Sequence, residues 1–296
     1  MITELPTEES GGPGQSIGQY ATLACIMEAT VPKPGNVHRG SDFEDASYPD
    51  FIIAATVIGP IFNLAVERSL GQTVLAAVEA TQAAVATNTN LGTILLIAPL
   101  AKVPPGTPLD CGVAEVLAQL SPRDASDVYA AILRAKPGGL GRVETADVAA
   151  APPPDLVAAM RLASDRDMVA RQYAENFHHV LNVIVPWLGE SLDEGLSLPD
   201  CIVRLHLQLM AEFPDSLIAR RCGTPVAQQA AARAGAVLSS GRPGDEDYER
   251  GVADLDFWLR SDGHRRNPGT TADLIAAGLF VALRDGIIKP PFRLAR

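Results

Sequence analysis

Lys33, His38 and Arg39 share one short loop, Val31-Pro32-Lys33-Pro34-Gly35-Asn36-Val37-His38-Arg39, in a chain that is otherwise strongly acidic. Two prolines and a glycine preset the backbone there, so these cations could be held against a phosphate at little ordering cost. A helix connector with its basic residues facing water explains the segment about as well. Carboxylates flank the loop, Glu28 before it and Asp42, Glu44 and Asp45 after it. Others, Asp165, Asp167, Asp215 and Asp273, fall at further helix boundaries, and Mg2+ takes one or two carboxylates together with substrate phosphates. Most acids only solvate a surface. Asp273 stands apart because it lies just inside an apolar helix after the Pro268-Gly269 turn, although helix-start electrostatics also favours an acid there. Arg220 and Arg221 form a second candidate phosphate clamp shortly after Asp215.

Commoner catalytic signatures are missing from the sequence: there is no P-loop, no His-Glu-x-x-His helix and no Gly-x-Ser-x-Gly elbow. Glu175-Asn176-Phe177-His178 has the Glu-x-x-His spacing, but carboxylate-bridged dimetal bundles need that motif twice, so a solvated edge is the plainer reading. Gly138, Gly139 and Gly141 would let backbone amides approach an anion, yet no strand precedes them and a flexible turn fits at least as well. Cys25, Cys111, Cys201 and Cys222 have neither zinc-site spacing nor the density of a disulfide scaffold, so reduced thiols in the cytoplasm are expected.

Those side chains need a frame. A hydrophobic content of 47% with only 5% aromatic, over 296 residues, suits closely packed helices and an all-α fold. The formal charge of -11 would repel nucleic-acid phosphates and anionic membranes. The longest nearly apolar run, residues 51–62, is too short for a bilayer span of roughly 20 residues and contains Pro60. Apolar periodicity predicts helices over residues 17–30, 49–68, 72–86, 91–101, 109–120, 125–135, 198–212, 248–260 and up to 283. Val169, Tyr173, Phe177, Val180, Ile184 and Leu188 predict one further helix with a single buried face. Asn88, Thr89 or Asn90 would cap the helix that follows them. The expected organisation is a disordered tail over residues 1–15, one catalytic all-α domain over 16–290, and a short tail over 291–296.

Taken in order, Pro32-Lys33-Pro34-Gly35, Asn88-Thr89, Asp215 with Arg220, and Asn267-Pro268-Gly269-Thr270-Thr271-Ala272-Asp273-Leu274 resemble the motifs of the triphosphoribosyl-dephospho-CoA synthase family. The resemblance implies an all-α enzyme that joins ATP, with Mg2+, to dephospho-CoA and releases adenine. Such a substitution at the ribose anomeric carbon wants a base for the incoming hydroxyl, a proton donor for the departing base and a carboxylate near the cationic centre. Carried onto this chain, it makes Asp215 and Asp273 candidate catalytic residues, Lys33 and Arg220 candidate phosphate contacts, and Asn88 and Thr89 candidate substrate contacts. The residues read by themselves add Glu28 as a candidate catalytic acid, His38, Arg39 and Asn267 as candidate substrate and phosphate contacts, and Glu44, Asp45 and Asp165 as candidate Mg2+ ligands.

The chain departs from the family's usual Asn-Thr-His-Lys-Gly at Asn90 and Leu91, losing a potential acid or base and a cation. This variant resembles the branch found in archaea and some bacteria away from lyase genes, including organisms with methanopterin-linked one-carbon metabolism. Transfer to another phosphorylated nucleotide or a pterin precursor is therefore the second enzyme reading, and a non-catalytic helical nucleotide-binding protein is the competing class. The enzyme reading requires the breaks near residues 33, 88, 215 and 273 to converge, with Lys33, Asn88, Asp215 and Asp273 facing one cavity.

Overall fold

In a computed structural model, residues 15–85, 87–135 and 153–294 are described. The expected N-terminal tail, but for Gln15, and the Gly138-Gly139-Gly141 segment lie outside them, as do residues 295–296. The described residues form fourteen α-helices and one π-helical turn, with no strand among them. The all-α expectation holds. No helix among the described residues is long and apolar enough to cross a membrane.

Local signals start the helices where side chains can serve unpaired amides. Ser16 opens α1 (Ile17–Thr30) with a reciprocal cap: its hydroxyl accepts from the Gln19 amide at 3.2 Å, and the Gln19 side chain accepts from the Ser16 amide at 2.7 Å. At the start of α2 (Tyr48–Phe62) the Asp50 carboxylate accepts from both the amide and the hydroxyl of Ser47 at 2.7 Å, with Pro49 in the first turn. Helix α2 ends at Phe62, short of the expected residue 68. Pro60 carries no amide proton, and the Asn63 side chain turns back to accept from the Gly18 amide at 2.8 Å. A Cβ on Gly18 would stand 2.0 Å from the Gly59 carbonyl oxygen, so the close approach of α1 and α2 requires glycine there.

The last helix, α14 (Gly269–Arg284), is the centre of the fold. Every residue from 274 to 283 is buried, and a helix apolar on all sides must be enclosed by others. It packs against α1, α4 (Leu91–Lys102), α8 (Met168–Ala174), α9 (Val185–Asp193), α10 (Leu198–Glu212) and α11 (Ser216–Cys222). Beyond α2 lie α3 (Leu70–Val85) and α6 (Pro122–Ala135), packed on each other. At its C-terminal end α14 presents Arg284, whose guanidinium donates to the carbonyls of Leu100, Val103 and Pro104 at 2.7, 2.9 and 3.0 Å and so closes α4.

The single helix expected through Val169 and Leu188 is broken. Asn176 and Phe177 take left-handed backbone angles, φ 50 and 61°, and a π-helical turn, Val180–Ile184, leads into α9. Pro186 has no amide for the preceding turn, and buried Gln172 bridges the gap by donating to the Met168 carbonyl and accepting from the Val180 amide, each at 3.2 Å. All six patterned side chains remain buried. Glu175 and His178 are exposed at the break, as a solvated edge should be.

Asp215 joins two helix starts. One oxygen accepts from the Leu217 and Ile218 amides at 2.8 and 3.0 Å, capping α11; the other accepts from the Thr271 amide and hydroxyl, both at 2.8 Å, in the first turn of α14. Replacing Asp215 by alanine removes a cap and leaves buried donors unpaired, and should lower the unfolding free energy by about 2–4 kcal/mol. Asp215→Asn, which keeps one acceptor oxygen, should lose less; urea unfolding of the two variants checks both expectations.

Candidate active site

The C-terminal end of α1, the loop after it, and the starts of α4 and α14 meet α8 and α11 around a cleft of about 900 Å3. All four breaks anticipated from the sequence therefore converge. Of the four side chains expected to face the cavity, Asn88 and Asp273 border it, whereas Lys33 and Asp215 stand behind its wall.

Two carboxylates form the floor. Asp273 is half-buried and accepts from the Thr93 hydroxyl at 2.7 Å. A Cβ on Gly92 would lie 2.0 Å from its other oxygen, so only glycine at the start of α4 admits this carboxyl group. Burial pushes the Asp273 carboxyl up to about 7; the Thr93 hydroxyl pulls the other way, and the charges of Glu28 and Asp215 add to the rise. Glu28, with a side chain 12% exposed, receives the Lys33 ammonium at 2.9 Å. Cys25, buried beside both acids, has its thiol held far up the scale, which leaves it inert as a nucleophile.

The walls carry complementary groups. Arg220 borders the cleft and pairs with Asp167, which itself caps α8 by accepting from the Val169 and Ala170 amides at 2.9 and 3.2 Å. Arg166 and Arg221 border the same cleft. Asn90 holds the capping position of α4 without a capping bond of its own, and the Asn88 side chain accepts from the Leu91 amide at 3.2 Å instead. Among the described residues the Thr89 hydroxyl and the Asn90 amide nitrogen have no partner, which suits groups kept for a ligand. Asn36 donates to the Asn267 side chain at 2.7 Å, joining the Pro-Lys-Pro-Gly loop to the approach to α14. At the rim Phe43 and His264 stack with ring centroids 4.3 Å apart, next to exposed Glu44 and Asp45. Opposite, Tyr129, Ile132 and Leu133 of α6 and Met160 of α7 (Leu156–Arg161), with Leu162 just beyond it, form an apolar wall.

Several expected contacts are placed elsewhere. Lys33 is fully buried, its ammonium donating to the carbonyl and carboxylate of Glu28 and, at 3.3 Å, to the Val31 carbonyl. With those three acceptors filled, it presents no donor to the cleft. Asp215 is consumed by its two helix caps, with burial raising its pKa against the pull of those donors. His38 does not border the cleft; its ring accepts from the Gly40 amide at 3.1 Å. Arg39 is exposed and outside the cavity, and Asp165 is exposed beside Arg166 at 3.8 Å. Among the described residues no group of three or more His, Cys, Asp or Glu side chains is gathered as a ready-made metal site.

Sequence reasoning missed Asn36, Thr93, Arg166 and His264 as lining residues. Asn36 directly follows the Pro-Lys-Pro-Gly motif and Thr93 directly follows Asn-Thr-Asn-Leu-Gly, so both stood beside recognised signals; Arg166 and His264 carried none. The loop itself is held from outside. His206 must donate through Nε2 to the Pro34 carbonyl at 3.1 Å, and burial, aided by the Lys33 charge, pushes its pKa down to about 3, so the ring is neutral. Asp256 accepts from the Gly35 amide at 2.7 Å and pairs with Arg260, which donates to the Asn36 carbonyl.

Comparison with known proteins gives one family and one fold. A family model described as ATP:dephospho-CoA triphosphoribosyl transferase matches residues 14–290. A crystal structure from Archaeoglobus fulgidus, provisionally described as a triphosphoribosyl-dephospho-CoA synthase, superposes with a TM-score of 0.61 at 23% identity, covering 79% of this chain and 98% of that one. At that identity the likeness concerns the fold. No curated protein matches the chain.

Asp273 sets a pH dependence whose sign follows from its raised pKa. The folded state holds this proton up to about 7, while the unfolded chain releases it near 3.8. The stabilising contribution is therefore complete below the unfolded value and lost as pH rises from about 4 to about 7, by on the order of a few kcal/mol. Urea unfolding across that range should show this decline in the native protein and lack it in Asp273→Asn.

Proposed function

The chain belongs to the ATP:dephospho-CoA triphosphoribosyl transferase family, and from that premise we propose that the cleft moves the triphosphoribosyl group of ATP onto a hydroxyl of dephospho-CoA or a close analogue, with adenine as the leaving group. The observation that carries this reading is the floor: a carboxyl with a pKa of about 7, beside a second carboxylate, at the bottom of a cleft bordered by Arg166, Arg220 and Arg221. Breaking a glycosidic C–N bond develops positive charge at the anomeric carbon and negative charge on the departing ring. A carboxyl that titrates near neutrality can give and regain a proton there, and an adjacent carboxylate opposes the positive charge. The arginines suit a triphosphate, whose oxygens they can bind in pairs.

Mg2+ bound to ATP fits this donor set in a limited sense. Glu44, Asp45 and Asp167 border the cleft, and one or two carboxylates are enough when phosphates and water complete the shell. When bound, the ion would neutralise triphosphate charge. Asp165, outside the cleft, takes no part in this proposal.

The Asn90 and Leu91 substitutions favour a second acceptor. The first leaves an uncharged amide and the second an apolar side chain on the wall where the family usually carries His and Lys. A pterin precursor or another phosphorylated nucleotide would meet fewer charges there, so the acceptor is the element of this reading that the variant motif bears on.

Incubating the purified protein with Mg-ATP and dephospho-CoA should release adenine and form the triphosphoribosylated adduct, detected by chromatography and mass spectrometry. Asp273→Asn should lower turnover by roughly 10²–10³-fold while ATP still binds. Adenine release with pterin or phosphosugar acceptors but not with dephospho-CoA would select the second acceptor class. Binding of ATP with no adenine released under any acceptor would sink the transfer reading.

A further inference from the structure

Lys33 is the least expected residue of the molecule: a fully buried lysine, one layer behind the cleft, pointing at a carboxylate on its floor. A buried ammonium needs all three protons accepted, and Glu28 supplies two of the acceptors, its carboxylate at 2.9 Å and its backbone carbonyl. Asp273 has no such companion. Among the described residues it makes no ion pair, and its donors are the hydroxyl and the backbone amide of Thr93, neither of them charged. The two floor acids are thus chemically unlike although they repel each other.

We propose that Lys33 is a positioning residue: its ammonium fixes Glu28 as the anion of the floor pair and leaves the exchangeable proton on Asp273. This rests on the transfer reading above and divides its labour. As the bond between the anomeric carbon and the adenine nitrogen breaks, its electron pair stays on the nitrogen and the Asp273 proton goes to the departing ring. As the acceptor oxygen bonds to that carbon, its proton passes to the Glu28 carboxylate. One proton is given and one received, so the two acids exchange states and reset through solvent, with no net change.

The surroundings are consistent with this division from every side. Glu28 and Cys25 of α1, Thr93 of α4 and Asp215 at the start of α11 face Asp273. Two histidines feel the Lys33 charge: His206 of α10 is neutral and so does not compete for the carboxylate, and burial, with the charges of Arg260 and Lys33, lowers the pKa of His38.

Two readouts test the assignment, one of which does not need turnover. In the kinetic arm, Lys33→Met and Glu28→Gln should each lower kcat by about a hundredfold and change KM for ATP by no more than about threefold. The double variant should be little worse than Glu28→Gln alone, because both changes remove one device, and Lys33→Arg should restore at least about tenfold. In the spectroscopic arm, the Asp273 carboxyl carbon, identified by its loss in Asp273→Asn, is followed by 13C NMR against pH in protein without substrate. Its midpoint, near 7 in the native protein, should fall in Glu28→Gln and fall similarly in Lys33→Met, where the unpaired Glu28 takes the proton instead. Should Lys33→Met not fold by circular dichroism, Lys33→Gln, which retains hydrogen-bonding atoms, takes its place. A large rise in KM with kcat unchanged, multiplying effects in the double variant, or an Asp273 midpoint that stays or rises without Lys33 would each overturn the proposal. If the native protein releases no adenine, the transfer reading fails while the NMR arm still decides the role of Lys33.

Discussion

Asp215 accepts hydrogen bonds from the first turns of two helices at once, Leu217 and Ile218 in α11 and Thr271 in α14, from a position only 3% exposed. Helix starts carry unpaired amides and a partial positive charge, and a shared carboxylate is an economical way to bury two of them side by side. Much else follows from that contact. It brings the arginine-bearing α11 against the central α14, so that Arg220 and Asp273 border one cleft. The Ser216 hydroxyl, bonded to Thr270 at 3.1 Å, repeats the junction one residue along. The cleft is therefore built on backbone amides rather than on loop packing, which keeps its geometry tied to the rigid core.

How far this was legible in the sequence depended on whether one residue type has one physical use. The all-apolar stretch after Asp273 could only be an enclosed helix, and it is. Pro32-Lys33-Pro34-Gly35 and Thr87-Asn88-Thr89-Asn90 read as breaks, and they are, with Asn90 at the capping position of α4. Lysine and aspartate are less constrained. A lysine in a stiff loop can reach outward to phosphate or inward to a carboxylate, and the choice at Lys33 is made by Glu28, His206 and the burial they share, none of which spacing encodes. Likewise Asp215 reads as an acid at a helix boundary, which is what it is; that its second oxygen serves another helix depends on a neighbour far along the chain. The interrupted segment through Asn176 and Phe177 kept its apolar period, so the pattern gave the buried face correctly and the backbone continuity wrongly.

The chain's net negative charge hides an internal sorting of charge. Arg166, Arg220 and Arg221 border the cleft that Glu28 and Asp273 also line, and Arg220 pairs with Asp167. An acidic surface discourages long polyanions through its overall field, yet a cleft with its own cations can still take a small one, because such fields are screened within about 10 Å at moderate salt.

The floor acids also come from opposite ends of the topology. Glu28 lies in the first helix and Asp273 in the last, and both face one cavity only because α14 runs through the middle of the bundle against α1. No segment of the chain that lacks either end can hold the pair, so chemical competence is the last property the protein acquires as it folds. A growing chain holds Glu28 and Lys33 long before Asp273 is made, and long-range closures of this kind are slow to form. Activity is thus a report on completion: a molecule that has the floor has the whole fold.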